Sequence, residues 1–507
     1  MKDFPPKFYI TTPIYYASGD PHVGHTYTTV SADILSRYYR LFIGAENVYF
    51  LTGTDEHGLK IAKNAEAAGL EPQAYVDKIA GAYVDLWKNL EISNNDFIRT
   101  TEKRHEDFVR FFIEKLKAKG FLYEAEYEGL YCVACEKFLA EKDLVDGKCP
   151  DHQRVPELSK EKNWFFDLNG KHSGRNFLTE IKEAIENGEL KILPEKMEKE
   201  VLGLLNQDLP DFSISRNKAN VKWGIPLPWD ANQLVYVWAD ALTNYISAID
   251  GSDWWPAQVQ LLGKDILKFH AIFWPAMLLA ADLPLPKVLC SHGYFTVDGQ
   301  KMSKTIGNVV DPIELFQTYG SDVTRYFVST VCPFGEDGDI KKELFAEKYN
   351  AFFANHLGNY VNRILTLAHK YYAGQVPTRD MVLEKDWQAQ VEAAWHDYHG
   401  AAAHLELEKM IKIPTELIQS ANEYITKLEL WKVMKENPEQ AAPHLYILLE
   451  ALRQAALMLS PVIPQGSTKI LEALGQTLSA DTSWGFLKPS QKLGELGILY
   501  PRLENKK

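Results

Sequence analysis

Two short words in this sequence have residue types and spacing suited to phosphate chemistry. The first, His22-Val23-Gly24-His25, follows a short β-type run and opens a helical pattern. Two imidazoles three positions apart at a helix start share a face, and Gly24 lets a phosphate approach the backbone. The helix N-terminus adds partial positive charge at that point. The second word is Lys301-Met302-Ser303-Lys304-Thr305, followed by Gly307 and Asn308. Two lysines in a glycine-flanked loop suit a pentavalent phosphate, whose charge grows away from the reacting oxygen. Alone, an HxGH word is a chance match and a KxxK loop a solvated turn. Together, in the two halves of one α/β pattern, they make chance a poor account.

A different chemistry is written between them. Cys132-x2-Cys135 and Cys149-x2-His152 form two chelating pairs with the spacing of one tetrahedral structural zinc site. With four protein ligands no position stays open for catalysis. Reduced free cysteines are the bland alternative, and the pairing of CxxC with CxxH argues against it. Five cysteines in a chain of this length make no disulfide framework.

The elements that position these residues follow from the pattern. The run at 7–12 (KFYITT), the loop carrying HVGH, a helix over about 26–42 and a second apolar run at 48–51 ending in TGTDEHG repeat strand, polar loop and helix. That order predicts a doubly wound parallel α/β sheet, with ligands outside the carboxyl ends of the strands. Pro72 marks a helix start, with Ile79, Tyr83, Leu86, Trp87 and Leu90 at helical spacing. From 116 to 223 the pattern turns irregular, with short strands such as 163–168, and reads as an insertion bearing the Cys/His cluster. The α/β pattern resumes in VQLLGKDILKFHAIFWPAM and VLCSHGYFT. Beyond 346 the β signals vanish and stripes such as Phe353, Leu357, Tyr360, Val361, Ile364 and Leu365 predict a helix bundle. The expected division is therefore a catalytic sheet domain over 1–115 and 224–287, split by the insertion at 116–223. A lysine-loop and stem-contact region over 288–345 and a helical domain over 346–507 complete it.

The chain has 507 residues, 46% hydrophobic and 24% charged, within the range of multi-domain globular proteins. A net charge of −13 argues against coating of nucleic acid through bulk charge, though not against a local basic groove. No apolar run is long enough for a signal peptide or a membrane span, so a cytoplasmic location is expected.

The words TTPIYYASGDPHVGH, FLTGTDEHG, IRTTEKRH, YCVACEKF, VYVWADALTNY, GKDILKFHAIFWPAML and HGYFTVDGQKMSK resemble the methionyl-tRNA synthetase family. HVGH and KMSKT correspond to the HIGH and KMSKS signatures of class I aminoacyl-tRNA synthetases. The resemblance is strong over roughly 7–370 and looser in the helical tail. Thr305 stands where the family commonly has Ser, which keeps the hydroxyl. The complete Cys3His set implies a single zinc knuckle.

The resemblance implies a two-step reaction. The methionine carboxylate attacks the α-phosphate of ATP, giving methionyl-adenylate and pyrophosphate, and a ribose hydroxyl of the terminal adenosine of tRNA(Met) then takes the methionyl group. This serves both elongation and initiation. His22, His25, Lys301 and Lys304 would carry the electrostatic work, with Gly24, Asp265, Gly293 and Tyr294 also around ATP and magnesium arriving with the nucleotide. Asp265 would suit a ribose hydroxyl, and Gly293 and Tyr294 would border the adenine. Ile14, Tyr16, Trp238, Ala241, Tyr245, Ile266 and His270 would surround methionine, and the Asp55 carboxylate suits its α-ammonium. Asn359 and Arg363, i and i+4 on one helical face, and Trp431 as a stacking platform would read the anticodon. Leu430 precedes Trp431 where many relatives have Pro. The chain stops soon after the helical domain, without room for the OB-fold that dimerises some relatives, so a monomer is expected. Rival readings are an HxGH nucleotidyltransferase that never meets tRNA, an inactive tRNA-binding relative and a zinc-ribbon scaffold. The helical tail and zinc cluster oppose the first, the intact histidines and lysines the second, and the phosphate words the third.

Overall fold

The computed structural model describes residues 4–132, 137–139, 144–150, 153–207, 209–301 and 310–503. The first strands are β1 (Phe8–Thr11), β2 (Tyr15–Tyr16), β3 (Val48–Asp55) and β4 (Asp96–Arg99). They join β8 (Lys191–Leu193), β13 (Val259–Gly263) and β14 (Val288–His292) in a seven-stranded sheet. The order runs β2-β3-β1-β13-β14-β8, with β4 also on β3, and every pairing is parallel. Helices cover both faces of such a sheet, so its strands are near-continuous apolar runs, as FYIT in β1 is. Gly53 meets a local demand: a Cβ there would lie 1.9 Å from the Ile98 carbonyl oxygen of β4.

Between β1 and β3 lies α1 (Val23–Ile43), a helix with fourteen buried residues, packed on the sheet. After β3 come α2 (Leu59–Ala67) and α3 (Pro72–Asn89), whose Pro72 occupies the first turn where no backbone donor is needed. The helix α4 (Lys103–Ala118) follows β4. A four-stranded antiparallel sheet comes next, built of β5 (Leu122–Cys132), β6 (Lys137–Leu139), β7 (Glu157–Phe166) and β9 (Phe212–Ser213). A smaller sheet joins β10 (Ser215–Asn217), β11 (Pro226–Leu227) and β12 (Asp230–Val235).

The stretch 116–223 is less irregular than its pattern suggests. It contains helices Phe177–Glu186 and Glu195–Leu205, and its strand β8 is an edge of the main parallel sheet, paired with β14. Three residues of strand between two helices carry no readable alternation, so the sequence hides this return. Beyond β14, β15 (Phe295–Val297) lies between β16 (Gln300–Lys301) and β17 (Gly338–Ile340).

From Leu344 to Ala473 the described chain is mainly helical, and beyond Leu344 the described residues hold no strand apart from one isolated bridge between Gln375 and Lys492. Helix Pro438–Leu459 lies at the centre, buried almost throughout from Ala441 to Leu459. Helices Asn359–Tyr372, Lys385–Ala403 and Leu407–Lys427 pack around it. Residues 474–503 form no helix or strand and run back over the bundle. Tyr446 Oη donates to the Leu487 carbonyl at 2.9 Å, and Arg453 donates to the carbonyls of Asp481 and Ser483 at 3.0 and 2.6 Å.

Candidate active site

Because the strands are parallel, the loops leaving β1, β3, β13 and β14 emerge at one edge of the sheet. At that edge lie HVGH beyond β2, Asp55 as the last residue of β3, Asp265 in the turn after β13 and Gly293-Tyr294 after β14. The topology thus brings to one edge what the sequence scatters over nearly 300 residues.

His22 is the N-cap of α1, and its Nδ1 accepts the Gly24 N–H at 3.1 Å. The His25 Nδ1 accepts from the His22 N–H at 3.4 Å and from the Tyr83 hydroxyl at 2.9 Å. The two imidazoles stack with centroids 3.6 Å apart. This is a capping box made of histidines instead of the usual Ser and Glu. In each neutral ring Nδ1 serves as acceptor, so the hydrogen resides on Nε2. A Cβ on Gly24 would press on the His22 ring at 3.1 Å. Tyr15 closes the back of this corner, its hydroxyl 2.6 Å from Thr29 Oγ1 and 3.2 Å from the His25 carbonyl.

On the adjoining side, His292 ends β14. Its Nδ1 donates to the Gly293 carbonyl at 2.9 Å, so Nε2 accepts from Thr28 of α1 at 2.7 Å. Burial pushes its pKa down to about 4. Gly293 cannot be replaced: a Cβ would sit 2.4 Å from Asp337 Oδ1. The Tyr294 N–H donates to that oxygen at 2.7 Å, and Lys264 bridges Asp337 to the Tyr294 ring, 4.3 Å from its centroid. Asp265 follows in the turn after β13.

An aromatic recess follows. Trp238 stacks on Phe269 with centroids 3.9 Å apart and meets His270 edge-on. His270 lies in a π-helical stretch, Phe269–Phe273, a distortion often found at functional sites. Its Nδ1 donates to the Ile266 carbonyl at 3.0 Å, so Nε2 accepts the Tyr245 hydroxyl at 2.7 Å. Tyr245 is held in turn by Tyr9, whose hydroxyl donates to its carbonyl. Burial brings the His270 pKa down to about 4, so both His270 and His292 are neutral at pH 7. Ala241 is buried on the helix of Trp238, while Ile14 and Tyr16 are partly covered. Asp55, at the end of β3, pairs in register with Tyr16.

Several residues here were invisible as functional candidates. Glu56 accepts Arg99 through both oxygens, at 2.7 and 3.0 Å, and Thr54 at 2.6 Å, while its carbonyl accepts Trp223 Nε1 at 2.6 Å. His292, Tyr83 and Tyr15 also brace the histidine-bearing start of α1. The only signal for Glu56, Arg99 and His292 was their place in quoted family words. Tyr83 read as one member of an apolar stripe.

The lysine loop is placed only in part. Lys301 lies in β16, whereas Lys304 and Thr305 fall outside the described residues. The expected zinc ligands divide likewise: Cys132 and Cys149 are buried beside each other with Leu144 against them, and Cys135 and His152 are outside the described residues. Among the described residues no group of three or more metal-ligating side chains occurs. In the bundle Asn359 is exposed at the start of its helix, and the Arg363 guanidinium sits 5.3 Å above the Trp431 ring, which is 40% exposed.

Comparison with known proteins decides the family. The model for class I tRNA synthetases (M) matches residues 8–154 and 143–365, and that for the anticodon binding domain of methionyl tRNA ligase matches 374–496. The methionine–tRNA ligase of Synechocystis sp. is 38% identical over 98% of both chains. That of Clostridium acetobutylicum is 40% identical over 98% of this chain and 78% of its own. The chain belongs to the methionyl-tRNA synthetase family. A solved structure of the Mycobacterium tuberculosis methionyl-tRNA synthetase in complex with methionyl-adenylate superposes with a TM-score of 0.92. It is 32% identical and covers 98% of this chain and all of that one. The class I model runs past the sheet into the first helices of the bundle, and the anticodon-domain model matches only the helical domain beyond them. Asn359 and Arg363 fall in the span of the class I model, ahead of the anticodon-domain match.

Proposed function

We propose that the chain activates methionine with ATP and transfers it to tRNA(Met), with the division of labour set out above. The observation that carries this reading is the histidine capping box at the sheet's carboxyl edge. There two Nε2–H groups and a helix N-terminus would meet the triphosphate. Neither step needs a protein nucleophile, so the work is positioning and charge neutralisation. Lys301 and Lys304 would add positive charge opposite the histidines, and magnesium would arrive on the ATP phosphates. Asp265 would hold the ribose, and Gly293 and Tyr294 would flank the adenine. Methionine would lie in the recess of Trp238, Ala241, Tyr245, Ile266 and His270, with Ile14 and Tyr16 above and Asp55 on its ammonium. A neutral His270 suits that apolar side chain better than an imidazolium would. Asn359, Arg363 and Trp431 would meet the anticodon, the cation over the ring already forming a flat platform.

The zinc reading is supported by the burial of Cys132 and Cys149 side by side. With Cys135 and His152 they would hold one structural ion, clamping the hairpin to the turn that follows it. The domain division, a monomeric state and a cytoplasmic site complete the proposal. None of the described helices is long and apolar enough to cross a membrane.

Amino-acid-dependent ATP–pyrophosphate exchange, scanned over the common amino acids, tests the core of this reading. Methionine should stand alone, and Lys304→Ala should lower the exchange rate ~100- to 1,000-fold, the usual effect of losing one such donor. Exchange driven by another amino acid, or a near-normal Lys304→Ala rate, would remove the assignment. Metal analysis of protein purified without chelator should find about one zinc per chain, and Cys149→Ser should release it and expose the insertion to protease first. Metal-free native protein would end the zinc proposal.

A further inference from the structure

A buried carboxylate behind the aromatic recess joins three elements that are distant in sequence. Asp240, 1% exposed, lies on the short helix Val237–Ala241, one turn of which carries Trp238 and Ala241. One of its oxygens is 2.7 Å from His57 Nδ1, and the other is 2.7 Å from His105 Nε2. A carboxylate only accepts, so both ring nitrogens carry their hydrogens toward it. His57 sits two residues past Asp55, in the loop that leaves β3. Trp223 clasps that loop from outside, its Nε1 on the Glu56 carbonyl and its own carbonyl on the Gly58 N–H. His105 lies on α4, and its Nδ1 is 2.7 Å from Ser247 Oγ on helix Asn244–Ser247, which also carries Tyr245. Burial opposes charge on His57, but the Asp240 carboxylate beside it outweighs this and raises its pKa.

A salt-bridged cluster this deep is a costly way to fill space, since hydrophobic groups of similar volume are often as stabilising. What it provides is geometry: each carboxylate oxygen fixes one ring, and the rings belong to different elements, the loop that leaves β3 and the helix α4. We propose that Asp240 is a positioning residue for the amino-acid substrate. It sets, through His57 and His105, the spacing between the Asp55 loop and the helices that carry Trp238, Ala241 and Tyr245. This inference rests on the reading of that recess as the methionine site.

Asp240→Asn is the informative change. A carboxamide presents an NH2 to one of two N–H donors, so one link must break or a ring must change tautomer. Small displacements of positioning groups cost up to about 100-fold, and the cost should fall on one substrate. In pyrophosphate exchange, the KM for methionine should rise about tenfold or more while the KM for ATP stays within about twofold. A residue that merely held the fold would lower the active fraction, reducing kcat and leaving both KM values alone. Such a result, or equal rises in both KM values, overturns the proposal. Ser247→Ala, which breaks only the outer link, should raise the methionine KM by a smaller factor. If Asp240→Asn does not fold, an unchanged methionine KM in Ser247→Ala overturns the proposal by itself. Trp238→Ala separates the two readings. If it leaves the methionine KM unchanged, the recess is not the methionine site. If it raises that KM while the Asp240 and Ser247 variants do not, only the positioning role fails.

Discussion

At pH 7 two buried histidines at the sheet edge, His270 and His292, are neutral, and each is locked in one tautomer by a backbone carbonyl. Their pKa values of about 4 lie below that of an unfolded histidine, so folding favours the deprotonated form. The sign follows from linkage. As pH falls below about 6.5 the unfolded chain takes up protons that the native chain refuses, and stability drops until the native rings titrate near 4. Each ring then accounts for roughly 3 kcal/mol of loss across that window. Thermal melts between pH 7 and 4.5 should show this, and His292→Gln should flatten part of the slope. An unaltered slope would mean that His292 takes up its proton over the same pH range in the native and unfolded chains. Little of this was legible in the sequence. The types and order of His22, Gly24 and His25 announce an anion site, but nothing in VLCSH marks its histidine as the partner of Thr28. Such a bond depends on a strand and a helix from opposite ends of the sheet domain. His57, His105 and Asp240 were likewise present in quoted words, yet only the fold reveals that they meet.

The helix α1 is the element on which both halves of the molecule lean. Its first turn carries the histidines, and its middle carries Asp33, fully buried between Arg37 and Arg325. Burial alone would raise the Asp33 pKa, but the two guanidinium groups outweigh it and hold the carboxyl at about 2. Arg325, on helix Ser321–Ser329, also donates to the carbonyls of Leu90, Pro461 and Val462, so it ties α1 and the end of α3 to the helical domain. Arg325→Met should destabilise the protein by about 3 kcal/mol, toward the lower end for breaking a buried pair because Arg37 remains. Pairing it with Asp33→Leu should restore part of that loss, measured by denaturant unfolding. If the double variant is the weaker one, Asp33 has a role beyond neutralising Arg325. Strands such as β1 and β13 were readable because both faces are buried and their runs are apolar. β8 was not, being three residues whose only claim to be a strand is β14 beside it.

Across the whole molecule the histidine corner sits at the edge of the parallel sheet and the Arg363–Trp431 platform on the helical bundle. Trp431→Ala should therefore weaken aminoacylation of tRNA(Met) while leaving pyrophosphate exchange nearly intact. The loss of one base–aromatic stack is worth ~1–3 kcal/mol in tRNA affinity. Equal loss of both activities would reduce Trp431 to a packing residue. The split was readable at this scale because the period of the apolar pattern changes from strand to helix near 346. The path of residues 474–503 was not, since a segment without regular structure leaves no periodic trace.

That segment bears on how the chain is made. Glu450, Arg453 and Gln454 lie buried in the bundle's central helix, and their hydrogen-bond partners include the backbones of Asp481, Thr482, Ser483 and Leu487. Translation delivers these partners after the helix itself. Until then an ion pair destined for the interior faces water, and the bundle stays open to chaperones and proteases. Premature termination before residue 481 leaves it so for good. A chain that stops short of residue 481 therefore differs from the finished one at the polar groups of its central helix, which keep the partners they have within the bundle and lack those of the tail.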